Sequence, residues 1–404
     1  RRSRGLGDVY KRQEWGIGWL PLGGYVKIAG MIDESMDKEQ MAKPPQSWEF
    51  RSKPSWQRLI IMLGGVTINF ILAIIIYIGL AYSYGSSSIS LDSIDDGFVI
   101  TNPILTEAGF ETGDKIITVD GQKLDTYSDL RKSIIGSTNY QVERNGNIIE
   151  IQLPVDFLGK LSSSDDMSSF EFRMPFIIQS VADESLNKDY DIRQGDRIVS
   201  VNGQATKYVD QLVPILEQNN NRTIEVEILR DSFTIKKTLN VNEDGKLGIM
   251  HGATVQNMVD LGLMEVSNNS YSLLESIAVG TNNFVSFMGF YFDQLVAIFN
   301  PNTGAYKGLG GFIAIGNIFP STWDWQSFWN TTALLSVMLG VLNLLPIPAL
   351  DGGHAMFLVY EMVSGRKPSD KFMETVQVIG FIILLALVIF ANGNDIYKLF
   401  NFIV

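Results

Sequence analysis

Residues 343–357, NLLPIPALDGGHAMF, place a carboxylate, two prolines and two glycines inside an apolar run. An ionised carboxylate at membrane depth costs roughly 2.5–3.5 kcal/mol on insertion scales, so such a residue usually has a partner or a function. Pro346 and Pro348 cannot continue a helical hydrogen-bond ladder, which predicts a broken helix before Asp351. Irregular backbone at this depth is tolerated where it lines protein or a water-filled cavity. Asp351 is therefore interpreted either as a carboxylate that holds a cation or as the cap of the following helix.

Three apolar runs predict a multi-pass α-helical membrane protein. The first, residues 59–82, is uncharged and long enough to cross a ~30 Å hydrocarbon core. The second, residues 332–350, contains the interrupted motif, and the third covers residues 376–391. Gly64 and Gly65 lie in the first run. They either let another helix approach closely or are ordinary glycines of a membrane helix.

Basic residues predict the orientation of these runs. They fall into two loops: Arg51, Lys53 and Arg58 before the first run, and Arg366, Lys367 and Lys371 between the second and third. Both loops are expected to face the cytoplasm, because positive charge is enriched on that side. The stretch from residue 85 to residue 322, and the C-terminus, are then expected outside.

Composition excludes several classes of function. The net charge of -12 argues against a general nucleic-acid binder. The absence of cysteine excludes disulfides and thiolate metal sites, and with only His251 and His354 no set of several histidine ligands can be built. The basic tract at residues 1–13 is not followed by the apolar region of a signal peptide. We interpret it as a truncation edge or a foreign tract rather than a native targeting segment.

The outer region contains an internal repeat. GDKIITVDGQ (residues 113–122) recurs as GDRIVSVNGQ (residues 195–204). Each copy alternates apolar residues and ends in an Asp-Gly or Asn-Gly pair, which favours a type I′ hairpin turn. The two copies resemble PDZ domains, which hold an extended peptide as an added strand. The second copy departs from that pattern, because DESLNKDYDIRQGD has no Ala-Gly-Leu-like turn. Residues 270–299 follow with a helical apolar pattern that predicts either a helix lying on the membrane or a helix packed on the repeat domains.

The motifs taken together resemble a known family. The span ending in NLLPIPALDGGH, the two PDZ-like repeats and WLPLGGYVKIAGM are similar to the site-2 protease family, within it the regulator-of-sigma-E protease (RseP) type. FRSKPSWQRLIIMLGGVTINFILA resembles that family's second transmembrane segment with its lead-in. NGNDIYKLF resembles the C-terminal end of Bacteroidota-like members. The resemblance extends from about Trp15 to the last residue and implies a bacterial intramembrane zinc metalloprotease.

The resemblance implies one zinc ligand in this chain, the carboxylate of Asp351. The family's remaining catalytic residues lie in a His-Glu-x-x-His motif on a first transmembrane helix, and this sequence has no such motif. We therefore expect a fragment that has lost that helix and is inactive alone. His354 is interpreted as a packed or capping residue, and His251 as a surface residue.

Substrate-binding roles are implied for residues around the motif and in a predicted β-hairpin of residues 21–28, PLGGYVKI. The hairpin would lie in the cytoplasmic leaflet and pair with an unwound substrate. Gly352 and Gly353 would leave room for backbone beside the metal. The implied substrate-binding residues are Asn343, Pro346, Pro348, Gly352, Gly23, Gly24 and Tyr25.

The implied function is regulated intramembrane proteolysis, in which a Zn²⁺ metalloendopeptidase of the bacterial inner membrane cuts single-pass membrane proteins that resemble anti-sigma factors. The PDZ pair, expected in the periplasm, would exclude substrates whose outer domain is still large and would bind peptide or protein ligands. The lipid bilayer is the other expected partner, and nucleic acid is not one. The alternative is a membrane-anchored PDZ scaffold without catalytic activity, a pseudoprotease.

The predicted fold is thus a multi-pass α-helical membrane protein with two periplasmic PDZ-like, mostly β, domains. The predicted layout runs in chain order: a non-native or truncation-edge tract (1–13), a cytoplasmic hairpin region (14–58), a transmembrane helix (59–84), PDZ-like domains (90–156 and 170–250), an amphipathic helix and connector (267–322), a transmembrane helix (328–350), a cytoplasmic loop (351–371), a transmembrane helix (372–392) and a C-terminal tail (393–404).

Overall fold

The computed structural model describes residues 6–8, 13–15, 28–30, 44–164 and 168–403. The chain divides into two compact units. One consists of Arg1–Leu72 with Leu335–Phe390, and the other of Ala73–Leu334 with Ala391–Val404. We call them the first and the second unit.

The α-helices of the described residues are α1 (Ser55–Tyr84), α2 (Pro103–Ala108), α3 (Tyr127–Ser133), α4 (Phe157–Ser162), α5 (Val209–Glu217), α6 (Val255–Asp260), α7 (Leu273–Phe299), α8 (Phe312–Gly316), α9 (Trp325–Leu344), α10 (Asp351–Ser364) and α11 (Asp370–Ile403). The strands are β1 (Leu6–Asp8), β2 (Gln13–Trp15), β3 (Ser86–Ile89), β4 (Phe98–Val99), β5 (Lys115–Val119), β6 (Asn139–Arg144), β7 (Asn147–Gln152), β8 (Glu171–Phe172), β9 (Ile178–Val181), β10 (Arg197–Val201), β11 (Gln204–Ala205), β12 (Thr223–Arg230), β13 (Phe233–Asn240), β14 (Ile249–His251) and β15 (Val266–Asn269).

Three helices in the described ranges are long and apolar enough to cross a membrane: α1, α9 and the part of α11 from Lys371 to Phe400. Each of the three predicted transmembrane segments overlaps one of these helices. Large apolar side chains on them, such as Ile60, Ile75 and Ile382, are exposed, as expected of surfaces that face lipid rather than water. The helical membrane part of the prediction agrees with the structure.

The structure differs from the predicted layout at several boundaries. Helix α1 begins at Ser55, so Arg58 lies inside the helix rather than in a loop before it. Helix α9 ends at Leu344, because Pro346 and Pro348 lack the N–H groups that would continue it. Residues 351–364 of the predicted cytoplasmic loop region form α10, a helix that the capping interpretation of Asp351 had included, and α11 continues without a break through the expected tail.

Helices pack closely within the first unit. An added Cβ at Gly340 of α9 would overlap the ring of Phe70 on α1, so this glycine allows the contact. One turn away, the Ser336 hydroxyl donates to the carbonyl of Asn69 over 2.8 Å. Small residues at helix contacts are typical of membrane proteins, because they let the backbones approach. A Cβ added at Gly64 or Gly65 would meet no described atom within 4 Å, so these two glycines are not the contact that holds the helices.

Two sheet domains occupy most of the second unit. The first combines the antiparallel sheet β5–β6–β7 with the pair β4–β8, and its core is aromatic. The ring of Phe110 packs edge-on against Tyr140 and Phe170 at 5.5 and 5.2 Å. The second domain combines the sheet β11–β10–β12–β13 with the pair β9–β14 around an aliphatic core. The sheet-rich part of the prediction therefore agrees with the structure.

The repeated stretches form the same hairpin turn in both sheet domains. Asp120 and Gly121 have φ of 48° and 77°, and Asn202 and Gly203 have φ of 49° and 78°. Two successive positive φ angles are what a type I′ turn requires, and Asp, Asn and Gly are the residues that accept them. The turn predicted from the sequence repeat is confirmed.

The aspartate of each Gly-Asp pair also has the same role in both domains. Asp114 is buried and accepts from Arg144 Nε at 2.6 Å, while Asp196 is buried and accepts from Arg230 Nε at 2.7 Å. Each arginine ends the strand that pairs with the repeated strand. Burial of a carboxylate is tolerated when a guanidinium satisfies it, so each pair ties the start of the repeated strand to the end of its neighbouring strand.

Helix α7 packs on α1 within the second unit. An ideal Cβ at Gly280 would lie 2.5 Å from the backbone nitrogen of Ile78. Near its end, α7 forms one wall of a groove of about 500 Å³, whose other walls come from residues 134–138 and 154–158 of the first sheet domain. The chain then turns into α8, whose backbone N–H groups at Ile313 and Ala314 donate to Asp395 of α11. Helix α7 thus combines packing on another helix with an exposed apolar face, which includes Phe292.

Candidate active site

The broken helix end lies where the proline pair predicted it. After Leu344 the backbone turns through short hydrogen bonds, with the Ile347 N–H donating to the Leu345 carbonyl at 2.7 Å. Ala349 has a φ of +79°, a conformation that costs a residue with a Cβ about 1–3 kcal/mol. Such strain persists only where the surroundings fix the chain, and here it lies two residues before Asp351.

Three glycines fix this loop. A Cβ at Gly352 would overlap the carbonyl oxygens of Leu344 and Leu345, and one at Gly380 of α11 would overlap the carbonyl of Pro348. A Cβ at Gly353 would lie 2.5 Å from the Ile347 carbonyl oxygen. Gly352 and Gly353 accommodate the backbone of the chain's own loop, and the implied room for backbone beside a metal stays a prediction.

Asp351 is the first residue of α10 and does not cap it. The N-cap is Leu350, which makes no side-chain cap hydrogen bond. The Asp351 side chain is partly buried, and no hydrogen bond to its carboxylate is found among the described residues. A carboxylate at a helix N-terminus is favoured by the helix dipole, and here it keeps its oxygens available for a further partner. Asp351 is therefore not the capping residue of α10, and its role as a metal ligand stays a prediction.

The other residues singled out around the motif are placed as follows. Asn343 lies in the last turn of α9 and is partly buried, whereas Pro346 is exposed and Pro348 partly buried in the loop. All three residues lie in the short segment that leads into Asp351. Gly23, Gly24 and Tyr25 lie outside the described residues.

Neither histidine completes a metal site with Asp351. The Nε2 atom of His354 lies 3.0 Å from the amide nitrogen of Gln377 on α11, so the ring is packed between helices as expected. His251 ends β14 in a sheet domain and is exposed, as expected of a surface residue; its ring lies 4.3 Å from that of Phe176, and partial desolvation lowers its pKa. No group of three His, Cys, Asp or Glu side chains that could hold a metal occurs in the part of the chain that the structure describes.

The described residues therefore supply only part of the ligand set that a zinc ion needs. A catalytic zinc takes three protein ligands and keeps one position open. Asp351 suits one carboxylate ligand, but the described residues do not supply the set. No set of three such ligands is present among the residues that the structure describes.

Sequence reasoning missed the residues that hold α10 in place. Arg58 and Glu361 form an ion pair between α1 and α10, and Gly380 gives α11 its contact with the loop. Glu361 could have been noticed as a carboxylate one residue after an apolar helical stretch. Its partner could not be found, because the pair joins residues about 300 positions apart.

Comparison with known proteins assigns the class to which this arrangement belongs. The profile of Peptidase family M50 matches residues 6–387, and the chain belongs to this family. Among individual proteins, it is similar to the "Regulator of sigma E protease" of Haemophilus influenzae, 28% identical over 99% of this chain and 92% of that protein. Two proteins named provisionally as zinc metalloproteases, from Rickettsia conorii and Ralstonia nicotianae, are 27% and 26% identical over 97% and 98% of this chain and 86% and 89% of their own lengths. The resemblance identified from the motifs is confirmed, and zinc is the metal of the family.

Proposed function

We propose that this chain contributes Asp351 and its loop to an intramembrane metallopeptidase site that cuts single-pass membrane proteins, of the anti-sigma-factor type, in regulated intramembrane proteolysis. The observation that carries the proposal is the helix break, which presents a carboxylate without a described hydrogen-bond partner between apolar helices. A carboxylate in such a setting is expected to have a functional partner. Asp351 is proposed as a zinc ligand.

The surrounding residues are proposed to receive the substrate. Extended backbone at membrane depth must satisfy its hydrogen bonds through protein or water, so a cleavable segment needs a polar or backbone partner beside the site. The amide of Asn343 offers a donor and an acceptor, and Pro346 and Pro348 keep the loop extended. Gly352, together with Gly23, Gly24 and Tyr25 of the predicted hairpin, is proposed to complete this surface.

The two sheet domains are proposed to be PDZ-like domains that face the periplasm of a bacterial inner-membrane protein. The shared type I′ turns and the paired Asp–Arg contacts support a common fold for them. Strand β14 pairs with β9 alone among the described strands, which leaves an edge to which an extended peptide can add. The pair is proposed to exclude substrates that keep a large outer domain.

The second candidate function is a membrane-anchored PDZ scaffold without peptidase activity. It is favoured by one observation, the lack of three grouped metal ligands in the described residues. The sequence as given also has no His-Glu-x-x-His, so we propose that this chain is inactive when it is alone.

A hybrid protein separates the two candidates. A helix carrying His-Glu-x-x-His from a relative is fused before Trp15, and cleavage of a single-pass reporter is measured in membranes together with zinc per chain. The peptidase proposal predicts cleavage, one zinc per chain, and loss of both in Asp351→Asn, which keeps the volume but removes the anionic ligand. Asn343→Ala serves as a control that keeps the zinc but cleaves more slowly. Full activity in the Asp351→Asn hybrid would overturn the peptidase role of this loop.

A further inference from the structure

The helix that begins with Asp351 is held differently at its two ends. Its first eight residues include the buried Gly352, Gly353, Ala355 and Leu358. From residue 359 to residue 364 every side chain is exposed except that of Glu361. The second half of α10 therefore has one polar side chain as its inward contact among the described residues of the first unit.

Glu361 meets Arg58 of α1 in a buried ion pair. Arg58 Nη2 lies 2.5 Å from Glu361 Oε1, and the two side chains are 9% and 17% exposed. Arg58 Nε also donates to the Lys53 carbonyl at 2.9 Å, and the Ser55 hydroxyl lies 3.3 Å from the same Glu361 oxygen. A cavity of about 40 Å³ beside the pair has mostly apolar walls, including Phe357. The pair is thus largely shielded from water, and the hydrogen bonds with Lys53 and Ser55 hold the two side chains in position.

Each charge lies at the unfavourable end of its own helix. Arg58 is in the first turn of α1, where the helix dipole disfavours a cation, and Glu361 is in the last turn of α10, where it disfavours an anion. The pairing corrects both, because it brings the carboxylate to the start of α1 and the guanidinium to the end of α10. Buried ion pairs contribute little net stability, but separating the two partners is strongly unfavourable because it leaves an unpaired buried charge.

We propose that Arg58 and Glu361 are positioning residues that fix the direction of α10 and thereby the place of Asp351. The link to Asp351 rests on the proposed function. Glu361 is ten residues from Asp351, a separation of about 15 Å along a helix. The glycine contacts act as the pivot at one end and the ion pair as the anchor at the other. Reactive groups need placement within about 0.5 Å and 10–20° of their productive geometry. A tilt of α10 would therefore change the position and orientation of the Asp351 carboxylate.

The test of the anchor needs neither zinc nor activity. The chain has no cysteine, so spin labels can be attached at Ile68→Cys on α1 and Val363→Cys on α10, both exposed. We expect Glu361→Gln to broaden the distance distribution between these labels at least twofold, while a label pair at Ile68 and Met356, near the pivot, changes less. The exchanged pair Arg58→Glu with Glu361→Arg is expected to restore the narrow distribution. Arg366→Gln, an exposed charge just past α10, is the matched control and is expected to change nothing.

Each outcome decides the proposal. An unchanged distribution in Glu361→Gln overturns the anchor, and so does broadening that the exchanged pair fails to reverse. Should Glu361→Gln not fold, the exchanged pair alone carries the test, because a folded protein with the wild-type distances requires the pairing.

The link to the reaction is measured separately in the active hybrid. Glu361→Gln is expected to lower kcat about tenfold with KM within twofold, since the substrate contacts remain while the ligand moves, and the exchanged pair is expected to recover kcat. Broadened distances with unchanged kcat would overturn the positioning role and leave the proposed function standing. Full activity of Asp351→Asn would instead end the proposed function, whatever the spin labels show.

Discussion

At the scale of single residues, the loop before Asp351 is defined by close backbone contacts that leave no space for added side-chain atoms. Gly380 of α11 lies so close to Pro348 that a side chain would overlap that residue's backbone. Ala349, next in the loop, has a positive φ that is itself strained, so the contacts around it must prevent it from relaxing. The loop conformation is therefore set by contacts with the backbone, which cannot yield as a flexible side chain would.

Substitution of Gly380 tests this directly. We expect Gly380→Ala to lower the free energy of unfolding by about 1–3 kcal/mol, the usual cost of overpacking a close contact. The matched control is Gly393→Ala in the same helix, whose added methyl meets no described atom within 4 Å. That change should be neutral or stabilising by up to about 1 kcal/mol, because alanine favours helix over glycine. Thermal unfolding in detergent measures both, and equal midpoints for the two variants would contradict the close contact.

Single residues were predictable from sequence where their chemistry is local. The effect of Pro346 and Pro348 follows from the missing N–H, and the helix does end before them. The glycines were harder. For Gly64 and Gly65 the sequence leaves open whether they are helix contacts or ordinary glycines of a membrane helix, and among the described residues Gly340 and Gly380 make the close contacts. Which glycine of an apolar helix meets a neighbour depends on how the helices are rotated, and that is set by packing rather than by the local sequence.

At the scale of elements, a cluster of charges joins the two sheet domains. Asp96 of the first domain accepts a hydrogen bond from the Tyr208 hydroxyl at 2.6 Å and forms an ion pair with Lys207, both of the second. Arg173, in the segment between the domains, pairs with Asp210 at 2.5 Å and lies 4.5 Å from the centre of the Tyr208 ring. Networks of this kind contribute more than isolated surface pairs, because each charge orients the next.

We expect the cluster to keep the two sheet domains in one arrangement. With spin labels at the exposed Ile148 and Phe233, one in each domain, Asp96→Asn should broaden the interdomain distance distribution. The control is Asp95→Asn, because the neighbouring Asp95 pairs with Lys115 inside the first domain and should not affect the distance. A distribution in Asp96→Asn as narrow as the wild type would show that the cluster does not set the arrangement.

The pH dependence of this arrangement has a defined sign. The hydrogen bonds from Lys207 and Tyr208 lower the pKa of Asp96 below its usual value of 3.8. A carboxylate whose folded pKa is lowered contributes above its unfolded pKa and loses that contribution as the pH falls through the folded pKa. The same interdomain distances should therefore stay unchanged from pH 7 to pH 5 and broaden only below about pH 4.

The elements themselves were predicted unevenly, for a physical reason. The two hairpins with their Asp-Gly and Asn-Gly turns are encoded by residues that accept positive φ, so the sequence repeat was sufficient. Helix α10 lies in the stretch predicted as a cytoplasmic loop region, although a helix after Asp351 was one of the two interpretations of the motif. This short helix lies between the proline-containing loop and the basic loop that follows it, so its sequence signal is weak. It depends instead on the buried contacts of Gly352, Ala355 and Leu358.

At the scale of the whole molecule, the sequence separates apolar helices from sheet domains because the two parts differ in hydropathy and in period. A metal-ligand set could not be predicted in the same way. No group of three His, Cys, Asp or Glu side chains that could hold a metal occurs among the described residues, and the sequence as given has no His-Glu-x-x-His motif. The family, by contrast, was recognisable, because the proline-flanked Leu-Asp-Gly motif combines several uncommon requirements in one short stretch.

The orientation in the membrane is the remaining prediction at this scale. Arg51 and Arg58 form ion pairs with Glu49 and Glu361, and both remain positive charges at the start of the first membrane helix. Arg366 and Lys367 are exposed in the short loop after α10, and positive residues at the ends of membrane helices are enriched on the cytoplasmic side. We therefore expect this loop in the cytoplasm and the sheet domains outside.

Single cysteines at the exposed Ser163 and Ser369 can be treated with an impermeant thiol reagent in intact spheroplasts, with the cysteine-free parent as the blank. Ser163→Cys should react at once, and Ser369→Cys only after the membrane is permeabilised. Reaction at position 369 but not 163 in intact cells would reverse the orientation and place the sheet domains on the cytoplasmic side.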